Sequence, residues 1–169
     1  MTDFFMSVAH DAANMSRAQR LQVGAVIVQD DEDIIGYGWN GTPRGWDNNC
    51  EDKKYMNRDA GGWLNPDELE LMWPLTEIET SGDFAGESVR YKLVTKPEVL
   101  HAESNALAKV MRSTRSAKGA TMFVTHAPCL ECSKIMSQAG ITKVVYEQDY
   151  RDSSGVEYLQ KCGVEVCKT

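Results

Sequence analysis

Two short segments hold the residues best suited to chemistry: His101-Ala102-Glu103 and Pro128-Cys129-Leu130-Glu131-Cys132. One imidazole and two thiolates suit the borderline-soft preference of Zn²⁺, and catalytic zinc sites use three protein ligands with a fourth position left to water. The C-x-x-C spacing alone fits redox chemistry as well as metal binding. A thioredoxin-like reading explains neither His101 nor Glu103. A closed structural zinc would need a fourth Cys or His, and the other histidines are His10 and His126. Three ligands point to an open site.

Positioning these groups needs particular elements. If Cys129 and Cys132 open a helix, their i,i+3 spacing sets both sulfurs on one side of its first turn, where the positive helix end favours thiolate. His101 likewise opens a helix. On that helix Glu103 shares a face with Ala106, Leu107 and Val110, so a carboxylate rides on an apolar stripe. Burying it is costly without a partner. A zinc-bound water two residues from the His ligand would explain the cost, with Glu103 taking its proton and later returning it. The pattern H-x-E…P-C-x-x-C is the signature of zinc deaminases, in which the Glu is a general acid/base and not a ligand.

The rest of the chain supplies a frame for two converging helix starts. Apolar spacing predicts a helix over 3–19, and apolar runs at 21–28 and 34–39 predict a hairpin, followed by the Gly- and Pro-bearing loop 40–45. Residues 51–91 show no sustained period, and a short helix is expected over 68–73. The second half alternates types as an α/β protein does: helix 101–112, strand 120–125, helix 129–139, strand 142–146, helix 153–161, strand 164–166. Gly119, Gly140 and Gly163 mark the boundaries.

At 169 residues, the chain reads as one domain, 1–169, carrying an insertion at about 51–91. No apolar run approaches the ~18–20 residues that cross a bilayer, so no membrane partner is expected. The start Met1-Thr-Asp-Phe-Phe-Met lacks the positive region of a signal peptide, which predicts a cytoplasmic protein. Five cysteines, an odd number, do not suggest a disulfide framework. The net charge of −7 argues against polynucleotide partners. Yet residues 51–91 hold ten acidic and four basic residues, a balance of −6, leaving the remaining chain at −1. The exclusion of polynucleotide therefore rests chiefly on the motifs.

Those motifs resemble the zinc-dependent cytidine deaminase superfamily, and within it the deoxycytidylate (dCMP) deaminases, especially the bacteriophage type. The carriers are Gln22 to Val28, Gly36 to Gly45 with its Asn-Gly-Thr-Pro turn, Val99 to Ala106 with Asn105 two positions after Glu103, and Gly119 to Cys129. The resemblance implies a three-layer α/β/α cytidine-deaminase-like fold with a central mixed sheet of about five strands. It implies hydrolysis of dCMP to dUMP and ammonia, feeding thymidylate synthesis, in the host cytoplasm if the chain is of phage origin. One catalytic Zn²⁺ per chain would be held by His101, Cys129 and Cys132. Glu103 would move the proton from water to N3 and then help the 4-amino group leave, while the backbone around Ala102 and Cys129 meets the base.

Family members are commonly hexamers, activated by dCTP and inhibited by dTTP with Mg²⁺. Gly38-Trp39-Asn40-Gly41 resembles their regulatory nucleotide site, with Trp39 where Tyr is usual. Asn40 thereby has two candidate roles, substrate sugar or effector. Arg44 and Arg151 are the candidates for the substrate phosphate, whereas Lys109, Arg112, Arg115 and Lys118 read as a solvated helix end. Cys50 resembles a ligand of a second, structural zinc found in some phage relatives. Residues 17–21 are Arg-Ala-Gln-Arg-Leu and 51–100 contain no His, so no second zinc is expected. The rival readings are a deaminase of free cytidine, tRNA adenosine or polynucleotide cytosine, and a non-catalytic nucleotide-binding or structural zinc module.

Overall fold

The computed structural model describes residues 2–56, 65–79 and 85–169. In chain order the elements are α1 (Thr2–Ala13), β1 (Gly24–Gln29), β2 (Asp33–Trp39), β3 (Glu51–Tyr55), α2 (Pro66–Met72), β4 (Leu75–Ile78), β5 (Ser88–Thr95), α3 (Ala102–Met111), β6 (Thr121–His126), α4 (Leu130–Gln138), β7 (Lys143–Gln148), α5 (Ser154–Lys161) and β8 (Glu165–Lys168). Contacts divide them into two compact units, residues 1–49 with 98–169, and residues 50–97.

In the first unit the strands form one mixed sheet of five in the order β2-β1-β6-β7-β8. β1 pairs antiparallel with both β2 and β6, whereas β6-β7 and β7-β8 are parallel. The apolar run Ala25-Val26-Ile27-Val28 is buried on both faces, which is why β1 is internal. Two clusters of buried side chains flank the sheet. Phe5, Met6 and Ala9 of α1 pack on Val26, Val28, Phe123 and Val145. Ala106, Leu107 and Val110 of α3, Met136 of α4 and Leu159 of α5 pack with Ala25, Ile27, Met122, Val124 and Val144. The result is the α/β fold with helices on both faces that the sequence implied.

The register fixes which loops share an end. Gly24 stands opposite Trp39, and Ala25 opposite Val124. The entry to β1 thus lies beside the exits of β2 and β6, and the parallel partner β7 exits at the same end.

Two expectations are corrected. The first helix stops at Ala13 rather than 19: the amides of Met15 and Ser16 turn back to the carbonyls of Ala12 and Ala13. The buried Ser16 hydroxyl then donates to Asn40 O and accepts from the Ala18 amide, a local alternative to the helix. The stretch without a sustained period holds three strands, a β3-β5-β4 antiparallel sheet, besides the expected helix, now Pro66–Met72. Each of its pairs includes a polar or aromatic side chain. Lys53 and Tyr55 both bond Glu77, and the Lys53 and Lys92 ammoniums sit 4.8 and 4.7 Å over the Tyr91 and Trp73 rings. β5 does alternate, with Val89, Tyr91 and Leu93 between Ser88, Arg90 and Lys92, while its partners β3 and β4 are short and largely charged or polar. Among the described residues, no helix is long and apolar enough to cross a membrane.

Candidate metal centre

Two helix starts meet at the shared end. His101 and Cys129 are the N-cap residues of α3 and α4, both extended (φ −80°, ψ 155° and φ −72°, ψ 165°), and neither side chain makes the usual capping bond. The side chains turn toward each other instead. His101 Nδ1 lies 3.5 Å from Cys129 Sγ and 3.4 Å from Cys132 Sγ. Zinc–sulfur and zinc–nitrogen bonds of about 2.3 and 2.0–2.1 Å at tetrahedral angles require N···S separations of about 3.5 Å, so the three atoms fit one zinc ion. Among the described residues, the three form the single cluster of possible metal ligands. His10 is instead held by Glu147 at 2.6 Å and His126 by Thr125 at 3.1 Å, so no fourth histidine closes the site.

The charges are arranged for a cation. Bonds from Cys132 and then His101 hold the Cys129 thiol well below its ordinary pKa. Cys132, buried, is pushed up by its bond to Cys129 and by burial. The bond to Cys129 raises His101. Of the two thiols Cys129 is the readier to ionise, and a bound metal would take both as thiolates. Glu103, in the first turn of α3, is 5% exposed, and burial raises its carboxyl pKa. Its carboxyl group reaches the Cys132 sulfur, so the proton carrier expected from the apolar stripe lies against a ligand.

Backbone bonds tie this centre to its surroundings. Gly41 and Leu100 form an isolated antiparallel bridge, anchoring the residue before His101 to the exit of β2. Asn105 donates its amide to Trp39 O at 2.8 Å. Asn40 is occupied within the chain: its side chain accepts from the Val23 amide and donates to Leu21 O, both at 2.8 Å. Gly38 is buried against the first turn of α3, and Ala102 is fully buried there. Arg44 and Arg151 lie exposed after β2 and β7, with the Arg151 guanidinium 5.5 Å from the Tyr150 ring centre. Lys109, expected to be solvated, instead sits 3.7 Å over Tyr37 and 4.8 Å over Trp39.

The loop 16–22 enters the sequence reading only as lacking zinc ligands, with its two cations passed over. It lines an open cavity of ≈ 700 Å³ carrying Arg17 and Arg20, at the entry to β1 and so at the same end of the sheet as the metal centre. The signal was two cations next to a Gln-Val-Gly strand start that the family resemblance had already marked.

Residues 1–148 match the family described as the cytidine and deoxycytidylate deaminase zinc-binding region. The chain belongs to that family. It is 35% identical over 153 residues to the deoxycytidylate deaminase of Pongo abelii, covering 89% of this chain and 67% of that one. It is 33% identical over 172 residues to the deoxycytidylate deaminase of Enterobacteria phage T4, covering 95% and 86%. Among solved structures, the dCMP deaminase of cyanophage S-TIM5 in complex with dCMP and dUMP superposes with a TM-score of 0.72 at 34% identity, over 99% of this chain and 95% of that one.

Proposed function

We propose that this chain is a single deaminase domain, interrupted by an acidic insertion, that hydrolyses dCMP to dUMP and ammonia. The observation that carries the reading is a buried carboxyl group, Glu103, set beside three converging groups suited to holding a metal, His101, Cys129 and Cys132. Similarity to a dCMP deaminase crystallised with dCMP and dUMP, across nearly the whole of both chains, selects the substrate.

His101, Cys129 and Cys132 would hold Zn²⁺, which when bound supplies the Lewis acidity that makes water a nucleophile near neutral pH. Glu103 accepts one proton of the attacking water and passes it to N3 of the base as the C4–O bond forms. It then takes the second proton, from the hydroxyl now on C4, and delivers it to the 4-amino group, which leaves as ammonia as the C4 carbonyl forms. Burial favours the first half of this shuttle, because a carboxylate whose pKa is raised takes up a proton more readily than a solvated one. The backbone at Ala102 and Cys129, opening the two helices, is positioned to meet the base.

The phosphate is met by cations at the shared end of the sheet. Arg17 and Arg20 line a cavity there, and Arg44 and Arg151 leave β2 and β7 at the same end. Guanidinium forks suit a phosphate dianion. The wider role is supply of dUMP for thymidylate synthesis in the cytoplasm, where the five free cysteines remain reduced. Assembly as a hexamer, and regulation by dCTP and dTTP with Mg²⁺ near Gly38, Asn40 and Gly41, complete the reading.

A substrate panel tests it: dCMP, CMP, deoxycytidine, dCTP and RNA, each with and without dCTP or dTTP plus Mg²⁺. Preference for dCMP is expected. Equal activity on the nucleoside would refute the nucleotide assignment. Arg17→Gln and Arg20→Gln should raise KM for dCMP and leave kcat/KM for deoxycytidine in place.

A further inference from the structure

Four glycines of the first unit, Gly24, Gly36, Gly38 and Gly155, sit where a side chain has no room. A Cβ on Gly38 would stand 2.3 Å from Ala102 O and 2.5 Å from Ala106 N, the backbone of α3's first turns. A Cβ on Gly155, in α5, would stand 2.0 Å from Pro128 O and 2.7 Å from the carbonyl carbon of Cys129. A Cβ on Gly24 would stand 1.9 Å from Ala9 O in α1, which carries no ligand. The first two contacts fall on the two backbone turns that present His101 and Cys129.

We propose that Gly38 and Gly155 are positioning residues of the metal centre: β2 bears on one ligand-carrying helix start and α5 on the other, and the two bare Cα atoms set the spacing between His101 and the two cysteines. Non-bonded carbons want about 3.5–4.0 Å, so a methyl at either position displaces its turn by roughly 1 Å. Ligand distances tolerate only about ±0.2 Å. Displacing either turn therefore spoils the N···S separations of 3.4 and 3.5 Å that fit zinc. The buried Ser133 hydroxyl, 2.8 Å from the Gly155 Cβ position and without a hydrogen-bond partner, shows how little room α5 leaves on α4. On this reading Gly38, which resembles part of a nucleotide site in sequence, acts on the metal through α3.

The inference rests on His101, Cys129 and Cys132 being the ligands. The test measures zinc affinity by chelator competition, the visible spectrum of the cobalt-substituted protein, and Tm, on the full chain with Gly38→Ala, Gly155→Ala, Gly24→Ala and Cys132→Ser. Gly38→Ala and Gly155→Ala should each weaken zinc binding by about 10–100-fold, the range seen when supports of metal ligands are lost, and shift the cobalt bands. Gly24→Ala should lower Tm while holding zinc affinity within about twofold, since its clash is with α1, which packs on the sheet face opposite α3, α4 and α5. Unchanged zinc affinity in Gly38→Ala and Gly155→Ala would overturn the proposal, as would an equal loss in Gly24→Ala. Should Gly38→Ala fail to fold, Gly36→Ala replaces it, with a Cβ 2.8 Å from Ala106 O on the same helix. Ser133→Thr replaces Gly155→Ala in the same way. Each must weaken zinc binding in the same direction, and unaltered affinity there overturns the proposal equally. Zinc retained by Cys132→Ser would instead sink the ligand assignment itself.

Discussion

Glu103→Gln keeps the side chain's shape and removes its ability to carry a proton. A positioned general acid–base contributes about 10²–10⁴-fold to rate, or roughly 3–5 kcal/mol of barrier. On the proposed mechanism the upper half of that range is expected, because one buried carboxylate would serve both the attacking water and the leaving amine. The assay is ammonia release from dCMP by the zinc-loaded variant, with metal content measured on the same sample. Turnover should fall by about 10³-fold or more with zinc unchanged at one per chain. A second reading comes from pH. Burial places the folded pKa of Glu103 above its unfolded value. Its contribution to stability is thus fully present below the unfolded pKa, about 4.3, and is lost as pH rises through the folded one. Glutamine escapes that loss. The Tm advantage of metal-free Glu103→Gln over metal-free wild type should therefore widen from about pH 5 to pH 8. Turnover within tenfold of wild type, or loss of zinc along with activity, would refute the proton-carrier role.

Three further outcomes follow from the same coordinates. Asn40→Ala loses two hydrogen bonds of 2.8 Å that tie the loop before β1 to the exit of β2. At about 0.5–1.5 kcal/mol each, this should lower Tm by several degrees without any nucleotide present, and a defect seen only with nucleotide would contradict it. Ser133→Ala deletes a buried hydroxyl without a partner and should stabilise the protein by about 1 kcal/mol in urea unfolding; a clear loss would mean the hydroxyl is bonded. Gly140→Ala meets a backbone with φ 83° and a Lys118 Cα at 3.0 Å, so it should cost about 1 kcal/mol or more, read as a lowered Tm.

What the sequence made legible was whatever burial had written into it as a pattern. The runs Ala25–Val28 and Met122–Val124 announced the internal strands, and Glu103 on an otherwise apolar face announced a buried charge with a purpose. The second unit was half legible: Val89, Tyr91 and Leu93 alternate in β5, but β3 and β4 are short, and Glu77 bonded to Lys53 and Tyr55 looks in sequence like any surface acid. The overlong first helix has a related cause. Met15 extends the apolar spacing, yet it is exposed, and a serine one residue on decides the matter through a bond to Asn40. Arg17 and Arg20 escaped because a loop cation carries no period. Gly38 shows the converse difficulty. Its motif was visible, but a contact between its Cα and a helix 64 residues later exists only once β2 and α3 are packed.

The placement of the centre follows from the sheet's change of direction. β6 has an antiparallel neighbour in β1 and a parallel one in β7, so one end of the sheet receives the entry of β1 together with the exits of β2, β6 and β7. In open α/β sheets, ligands collect outside strand ends where connections diverge. Here that end gathers Arg17, Arg20, Arg44 and Arg151 from three loops, and the positive starts of α3 and α4 flank the cysteines. The chain's charge of −7 resides mostly in residues 51–91, whose balance is −6. The loops that carry these arginines also carry exposed Asp47, Asp149 and Asp152, so attraction for an anion at that end rests on where individual guanidiniums stand and not on net charge.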